Sequence, residues 1–422
     1  MRMKILNDEL KTENESETKT AKAGSRARVL VNVAFLIVLA SALLFQNCGQ
    51  FTAATLSLSY DGNSVGPITA AVLQPDTDRT DSQCRSKTEY DACIFLKNPV
   101  AAKRSSLSGP NAAELDTLQT YGVKLTGHNG QRLQNDTISV EVVNGNAVEL
   151  GFTNLRSLSA RNDNGRIVAQ VMTYYWMNRA YEYISARTGR FPAKGKGIRV
   201  VVDDSVAGWS PATNSIHLKI SEAGDPMAWN ADLAIHFLAL ANLHFATNGA
   251  IRQGISAQHK TCGLKEAGCC SSTFGCSRAI ASGVGDYMAA IIFPSQPTIG
   301  ESWANNAQGL GFCNLSRDLD QAEKRSSQAA YDACASSGLP GEVTTMGTVY
   351  ASTWWAIRKK AGLLDPDFGE RDIDILFMAH LSELTGADTF STALPKIIAL
   401  ESQLFKEKYD DIIANEFFAR GL

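Results

Sequence analysis

Residues Asp232 to Gly249 read DLAIHFLALANLHFATNG. Leu233, Ala234, Ile235, Phe237, Leu238, Leu240, Leu243 and Phe245 put apolar groups on nearly every side of a helix, and a helix apolar all round belongs inside a domain. Within it His236 and His244 stand eight residues apart, near one face but two turns, roughly 12 Å, from one another. A zinc ion holds nitrogen ligands at about 2.0–2.1 Å, so these two cannot share one ion. Histidines that do share one are spaced four apart with a glutamate after the first, because i and i+4 project together and the carboxylate reaches the metal-bound water. Here those positions are His236, Phe237 and Leu240. The helix has the setting of a metal site without its second ligand or its base.

Working outward, the pattern divides into a β-rich first part and a helical remainder. From Tyr90 to Leu150 short alternating runs (CIFLKNPV, YGVKLTG, DTISVEVV, NAVELGF) are separated by turns at His128-Asn129-Gly130 and Asn144-Gly145. That spacing predicts hairpins and a small antiparallel β-domain over 90–165. His128 reads as a solvated turn residue. From Val168 to Gly189 the period becomes helical, with an aromatic stripe facing the core and Gly189 as C-cap. Ile198–Val202 reads as a buried strand and Asn214–Ile220 as another. After the central helix, Ser277–Phe293 is helical, and 294–346 is a loop-rich insertion with one helical piece near Asp318–Ala335. Three further helices are predicted at Gly347–Ala361, Arg371–Leu384 and Asp388–Asn415, the last capped by Asp388 and carrying Pro395. The fold class is α+β.

The chain is 422 residues long, 44% hydrophobic and 20% charged, with a formal net charge of −3. That near-neutral balance leaves no electrostatic footprint for nucleic acid. The N-terminus is different in kind. Arg26 and Arg28 precede an apolar run, Val29 to Phe45, as in an export signal; the alternative is a retained anchor, since a span needs about 20 apolar residues. Cys48 directly after this run resembles a bacterial lipoprotein cleavage site, although Gln46 and Asn47 stand where small residues are usual. The implied organisation is an export signal over 1–48, a Ser/Thr/Asp/Gly-rich tether over 49–89, the β-domain, and an α+β domain over 166–422. The expected address is the bacterial cell envelope, with the protein held to the membrane by lipid on Cys48, on the periplasmic or surface side.

Eight cysteines remain: Cys84, Cys93, Cys262, Cys269, Cys270, Cys276, Cys313 and Cys334. An even number in an exported chain points to disulfides. The spacings within Thr261–Cys276 do not match paired C-x-x-C zinc ligands.

Residues 167–415 taken together resemble the gluzincin zinc metallopeptidases, the thermolysin and fungalysin relatives. The order of elements matches: aromatic helix, buried strand, edge strand Ser215–Ile220, central helix. Ser282-Gly283-Val284-Gly285-Asp286-Tyr287 is similar to the family's E-G-x-A-D-Y, and Gly341–Tyr350 followed by Trp354 to its E-V-H-x-x-G segment. The resemblance implies a thermolysin-like, mostly helical domain. Carried over by position, His236 keeps the first zinc ligand, Phe237 replaces the general base, Leu240 the second ligand, Ser282 the third and Thr344 the transition-state histidine. Asp286 keeps the aspartate that orients a ligand histidine, with no histidine at 240 to orient. The resemblance therefore implies a pseudoenzyme without a cofactor, using the old cleft to bind a peptide or envelope protein. His217, His236, Phe237, Leu240, Ser282 and Asp286 are the cleft candidates, and the strand carrying His217 is the expected edge for an extended peptide. Two other readings stand beside it. One is a divergent active zinc peptidase drawing donors from His217, His236, His244, Glu222, Asp225 and Asp286; the other is a purely structural envelope lipoprotein.

Overall fold

The computed structural model of the chain describes residues 91–99, 120–143, 147–150, 155, 163–220, 226–255, 277–300, 317–322 and 342–422. They form a mixed helix-and-strand structure of α+β class. Strands β1 (Ala92–Ile94) and β2 (Tyr121–Val123) make an antiparallel ribbon. Strands β3 (Ile138–Val142), β4 (Ile198–Asp204), β5 (Gly208–Ser210) and β6 (Ser215–Lys219) make a second sheet in the order β3-β4-β6-β5.

Two expectations are corrected by this sheet. The run containing β3 is not a hairpin strand of a separate antiparallel domain: it pairs in parallel with β4, Ile138↔Ile198 through Val142↔Val202, so the sheet crosses the boundary expected at 165. Helix α1 (Asp163–Thr188) is the crossover between β3 and β4, as a parallel pair requires. Turn signals are local, and a parallel partner far along the chain leaves no mark beside them. The second correction concerns β6. It is not an edge but lies between β4 and β5, so His217 sits on an inner strand and the short β5 takes the edge.

Alternation decides which side of the sheet is buried. Ile138, Val140, Val142, Ile198, Val200, Val202, Ile216 and Leu218 are at most 6% exposed and meet α1 and α2 (Ala231–Ala246). α1 ends where Gly189 takes φ +71, a left-handed conformation that costs glycine little.

The remaining helices are α3 (Ser277–Ile292), α4 (Leu319–Ala322), α5 (Glu342–Leu364), α6 (Gly369–Leu381), α7 (Phe390–Phe405) and α8 (Asp410–Ala419). α3 lies between α2 and α5. It approaches α5 closely: a Cβ on Gly283 would stand 2.6 Å from the Gly347 carbonyl oxygen. A buried ionic brace ties four helices together. Asp374 on α6 accepts from Tyr287 (α3, 2.8 Å), Arg358 (α5, 3.1 Å) and Arg187 (α1).

The helix expected over Asp388–Asn415 is two helices, because Lys406 and Glu407 both take positive φ, 60° and 64°. With no glycine there, the sequence carries no stop signal. Its cap is Thr389 rather than Asp388: the Thr389 hydroxyl accepts the Thr392 amide at 3.3 Å, while the Asp388 carboxylate takes the Thr392 hydroxyl at 3.0 Å. The Glu342–Thr344 segment lies inside α5 rather than before it.

Among the described residues no helix is long and apolar enough to cross a membrane. The apolar run Val29–Phe45 and Cys48 lie outside them, as do Cys84, Cys262, Cys269, Cys270, Cys276, Cys313, Cys334, Glu222 and Asp225. Cys93 is in a disulfide.

Candidate functional site

His236 projects from the middle of α2 toward α3. Its ring occupies the space that a side chain at Gly285 would fill, since a Cβ there would come within 2.4 Å of Nδ1. The next residue, Asp286, meets that nitrogen at 2.8 Å through Oδ1. This overturns the expectation that Asp286 has no histidine to orient: it orients His236 itself.

Two residues that no local motif announces complete the cluster. Arg317 donates from Nε to Asp286 Oδ2 at 3.2 Å, and one of its terminal nitrogens contacts Oδ1 and stands 3.2 Å from His236 Nδ1. Thr348, on α5, donates its hydroxyl to Asp286 Oδ2 at 3.1 Å. Arg317 is positioned by a short antiparallel contact, with Ile299 N–H donating to its carbonyl at 3.2 Å and Leu319 N–H to that of Pro297 at 3.1 Å. The segment opposite is fixed in turn by a buried lysine. Lys97 donates to the Gln296 carbonyl (2.7 Å) and the Thr298 carbonyl, and Asp232, in the first turn of α2, accepts the Gly300 N–H at 2.7 Å. Lys97 and Asp232 are 3.8 Å apart.

The electrostatics follow from burial. Asp286 is fully buried, which by itself raises a carboxyl pKa; Arg317 and the His236 hydrogen bond outweigh it and hold the group below the ordinary aspartate value. Burial lowers the His236 pKa; the Asp286 bond pulls the other way, and the neighbouring Arg317 charge adds to the depression. The imidazole is therefore held neutral, and if its proton lies on Nδ1 toward Asp286, Nε2 keeps a lone pair. Nε2 has no hydrogen-bond partner among the described residues.

Phe237 and Leu240 are half-buried and pack against the core; the Phe237 ring meets His236 edge-on at 5.2 Å. Ser282 is also half-buried, with its Cβ against Gly347 at the α3–α5 contact. Thr344 lies in the first turn of α5. His244 packs on Trp209 and Phe245, ring centroids 5.7 Å and 5.3 Å away. His217 belongs elsewhere. Ile216 and Leu218 face the helices, so His217 points from the opposite side of the sheet, bonded to Asp204 and Ser215. The six cleft candidates thus divide: five lie on the packed α2–α3–α5 region and one does not.

Zinc fits this residue set poorly. Phenylalanine and leucine offer no donor, and among the described residues no three His, Cys, Asp or Glu side chains come together as a metal-binding group. No protein-family model matches the chain, and no curated protein is similar to it in sequence.

Proposed function

We propose that this chain is an envelope-anchored lipoprotein whose helical domain, akin to a gluzincin metallopeptidase with a dismantled zinc site, binds a peptide or protein segment without hydrolysing it. The observation that carries the reading is the Asp286 carboxylate, bonded at once by His236 and Arg317. In a zinc site the carboxylate behind a ligand histidine raises its basicity. Here Arg317 compensates that charge, and a fixed cation beside the imidazole opposes a dication on the same ring. Phe237 cannot take a proton from water. With Leu240 it forms an apolar surface beside His236, suited to an apolar side chain of a bound segment.

A second reading, a divergent active zinc peptidase, rests on the neutral His236 and its Nε2, which has no hydrogen-bond partner among the described residues and keeps a lone pair for a metal. One experiment separates the two. The exported protein is incubated with excess zinc, washed, analysed for metal, and assayed for peptide hydrolysis and for capture on an immobilised peptide array. Binding without zinc or cleavage, weakened by Phe237→Asp, is the expected result. About one tightly held zinc per chain, or capture unchanged by Phe237→Asp, overturns the binding-module reading. Cys48→Ala should move the protein from the membrane fraction to the soluble one.

A further inference from the structure

The face of the sheet turned away from α1 and α2 carries a continuous chain of polar groups. His217 and Ser215 are two apart on β6 and so share that face. His217 Nδ1 meets Asp204 Oδ2 at 2.6 Å, and Nε2 meets Ser215 Oγ at 2.7 Å. Ser215 Oγ lies 2.6 Å from Thr213 Oγ1, which is also 2.8 Å from Ser210 Oγ. Asp204 reaches this face because the strand period is reset just before it: Asp203 has φ 59°, and the β4–β6 register shifts between Val202 and Asp204. Without that bulge, Asp204 would point to the same side as Val202.

Burial raises the Asp204 pKa, but the His217 bond and backbone N–H groups of Ser205 and Val206 more than offset it and hold the carboxylate charged. A carboxylate on Nδ1 fixes the neutral imidazole with its proton there, leaving Nε2 to accept from Ser215. Ser215 itself is fully buried, whereas Thr213 is exposed. The Thr213 hydroxyl hydrogen can turn toward Ser210 or toward Ser215, since hydroxyls rotate to suit their partners. Turned toward Ser215, every hydrogen in the chain runs toward Asp204.

We propose that Asp204, His217 and Ser215 form a proton relay that makes the exposed Thr213 hydroxyl a nucleophile toward uncharged acyl or phosphonyl electrophiles. This site is separate from the His236 cluster and independent of the reading given for it. With a fluorophosphonate, the Thr213 oxygen bonds to phosphorus as the P–F bond breaks and fluoride leaves with the electron pair. The Thr213 proton passes to Ser215 as the Ser215 proton passes to His217 Nε2, which becomes imidazolium against Asp204.

The test is labelling of the full-length protein with a biotinylated fluorophosphonate, with the modified residue located by peptide mass spectrometry. The expected result is an adduct on Thr213, absent in Thr213→Val, which removes only an exposed hydroxyl. A positioned base contributes about 10²–10⁴-fold, so His217→Gln and Ser215→Ala should slow labelling by roughly 100-fold. Ser210→Ala, which removes the competing acceptor, should not slow it. Circular dichroism of each variant establishes that it is folded, and Thr213→Val and Ser210→Ala keep the test decisive if a buried substitution unfolds the chain. No adduct, an adduct on another residue, or a rate insensitive to His217→Gln in folded protein would overturn the proposal.

Discussion

Gly285 and His236 face each other across the α2–α3 contact so closely that a Cβ on residue 285 would stand 2.4 Å from the imidazole Nδ1 and 2.6 Å from Cε1. The ring cannot yield easily, because Asp286 and Arg317 hold it from the same side. Gly285→Ala should therefore destabilise the protein by about 1–3 kcal/mol, the usual cost of overpacking a tight core. Chemical denaturation measures it, and a variant as stable as the parent would contradict the packing described.

Arg317 neutralises a buried carboxylate. Arg317→Met should cost about 3–5 kcal/mol, the penalty for leaving one member of a buried ion pair uncompensated. Adding Asp286→Asn removes the stranded charge and should recover a large part of the loss. Denaturation midpoints of the two single variants and the double variant form the cycle; simple additivity would show that the two groups are not coupled.

His380 is buried in the core, with Nε2 3.0 Å from the Tyr350 hydroxyl, and burial pushes its pKa down to about 3. His236 is lowered for the same first reason. A histidine whose folded pKa lies below its unfolded value contributes stability that is full above about pH 6.5 and is lost as the pH falls. Thermal unfolding followed from pH 7 to pH 4 should show a steady decline, with a shallower slope in His380→Leu. An unchanged slope in that variant would assign the acid sensitivity to other groups.

Glu401 on α7, beside Asp410 on α8, acts in the opposite direction. Each has a buried carboxyl oxygen without a hydrogen-bond partner, Oε2 and Oδ1 respectively. Burial first, and the neighbouring Asp410 carboxyl with it, raise the Glu401 pKa to about 7; a proton on Glu401 shared with Asp410 would satisfy both oxygens. Because the folded Glu401 pKa exceeds the unfolded one, its contribution is full below about pH 4.5 and is lost as the pH rises toward 7. Glu401→Gln should raise the melting temperature at pH 8 by about 2–4 °C, the shift expected for roughly 1 kcal/mol in a domain of 150–250 residues. At pH 5 the gain should shrink. A gain that is the same at both pH values would exclude the shared proton.

What could be read in the sequence is what depends on neighbours along the chain. The all-round apolar character of Leu233–Phe245 determines a buried helix, and Gly189 determines where α1 stops, because side-chain period and left-handed backbone are local properties. The Gly-Asp-Tyr segment places Asp286 beside a ligand position, but local pattern leaves it without a histidine; only the packing of α2 on α3 brings His236 to it. A local reading could not pair β3 with β4, since a parallel partner across a long crossover writes no turn between the two strands. It also mistook β6 for an edge, because only the assembled sheet shows β5 beyond it. Arg317 was illegible for a like reason: it lies in an insertion without periodicity, and the antiparallel contact of its segment with Pro297–Ile299 brings it to Asp286. The chain thus determined which residues are buried and where helices form, as local patterning does. The assembled fold decided which charge meets which, because a guanidinium and a carboxylate far apart in sequence become partners only when packing removes both from water.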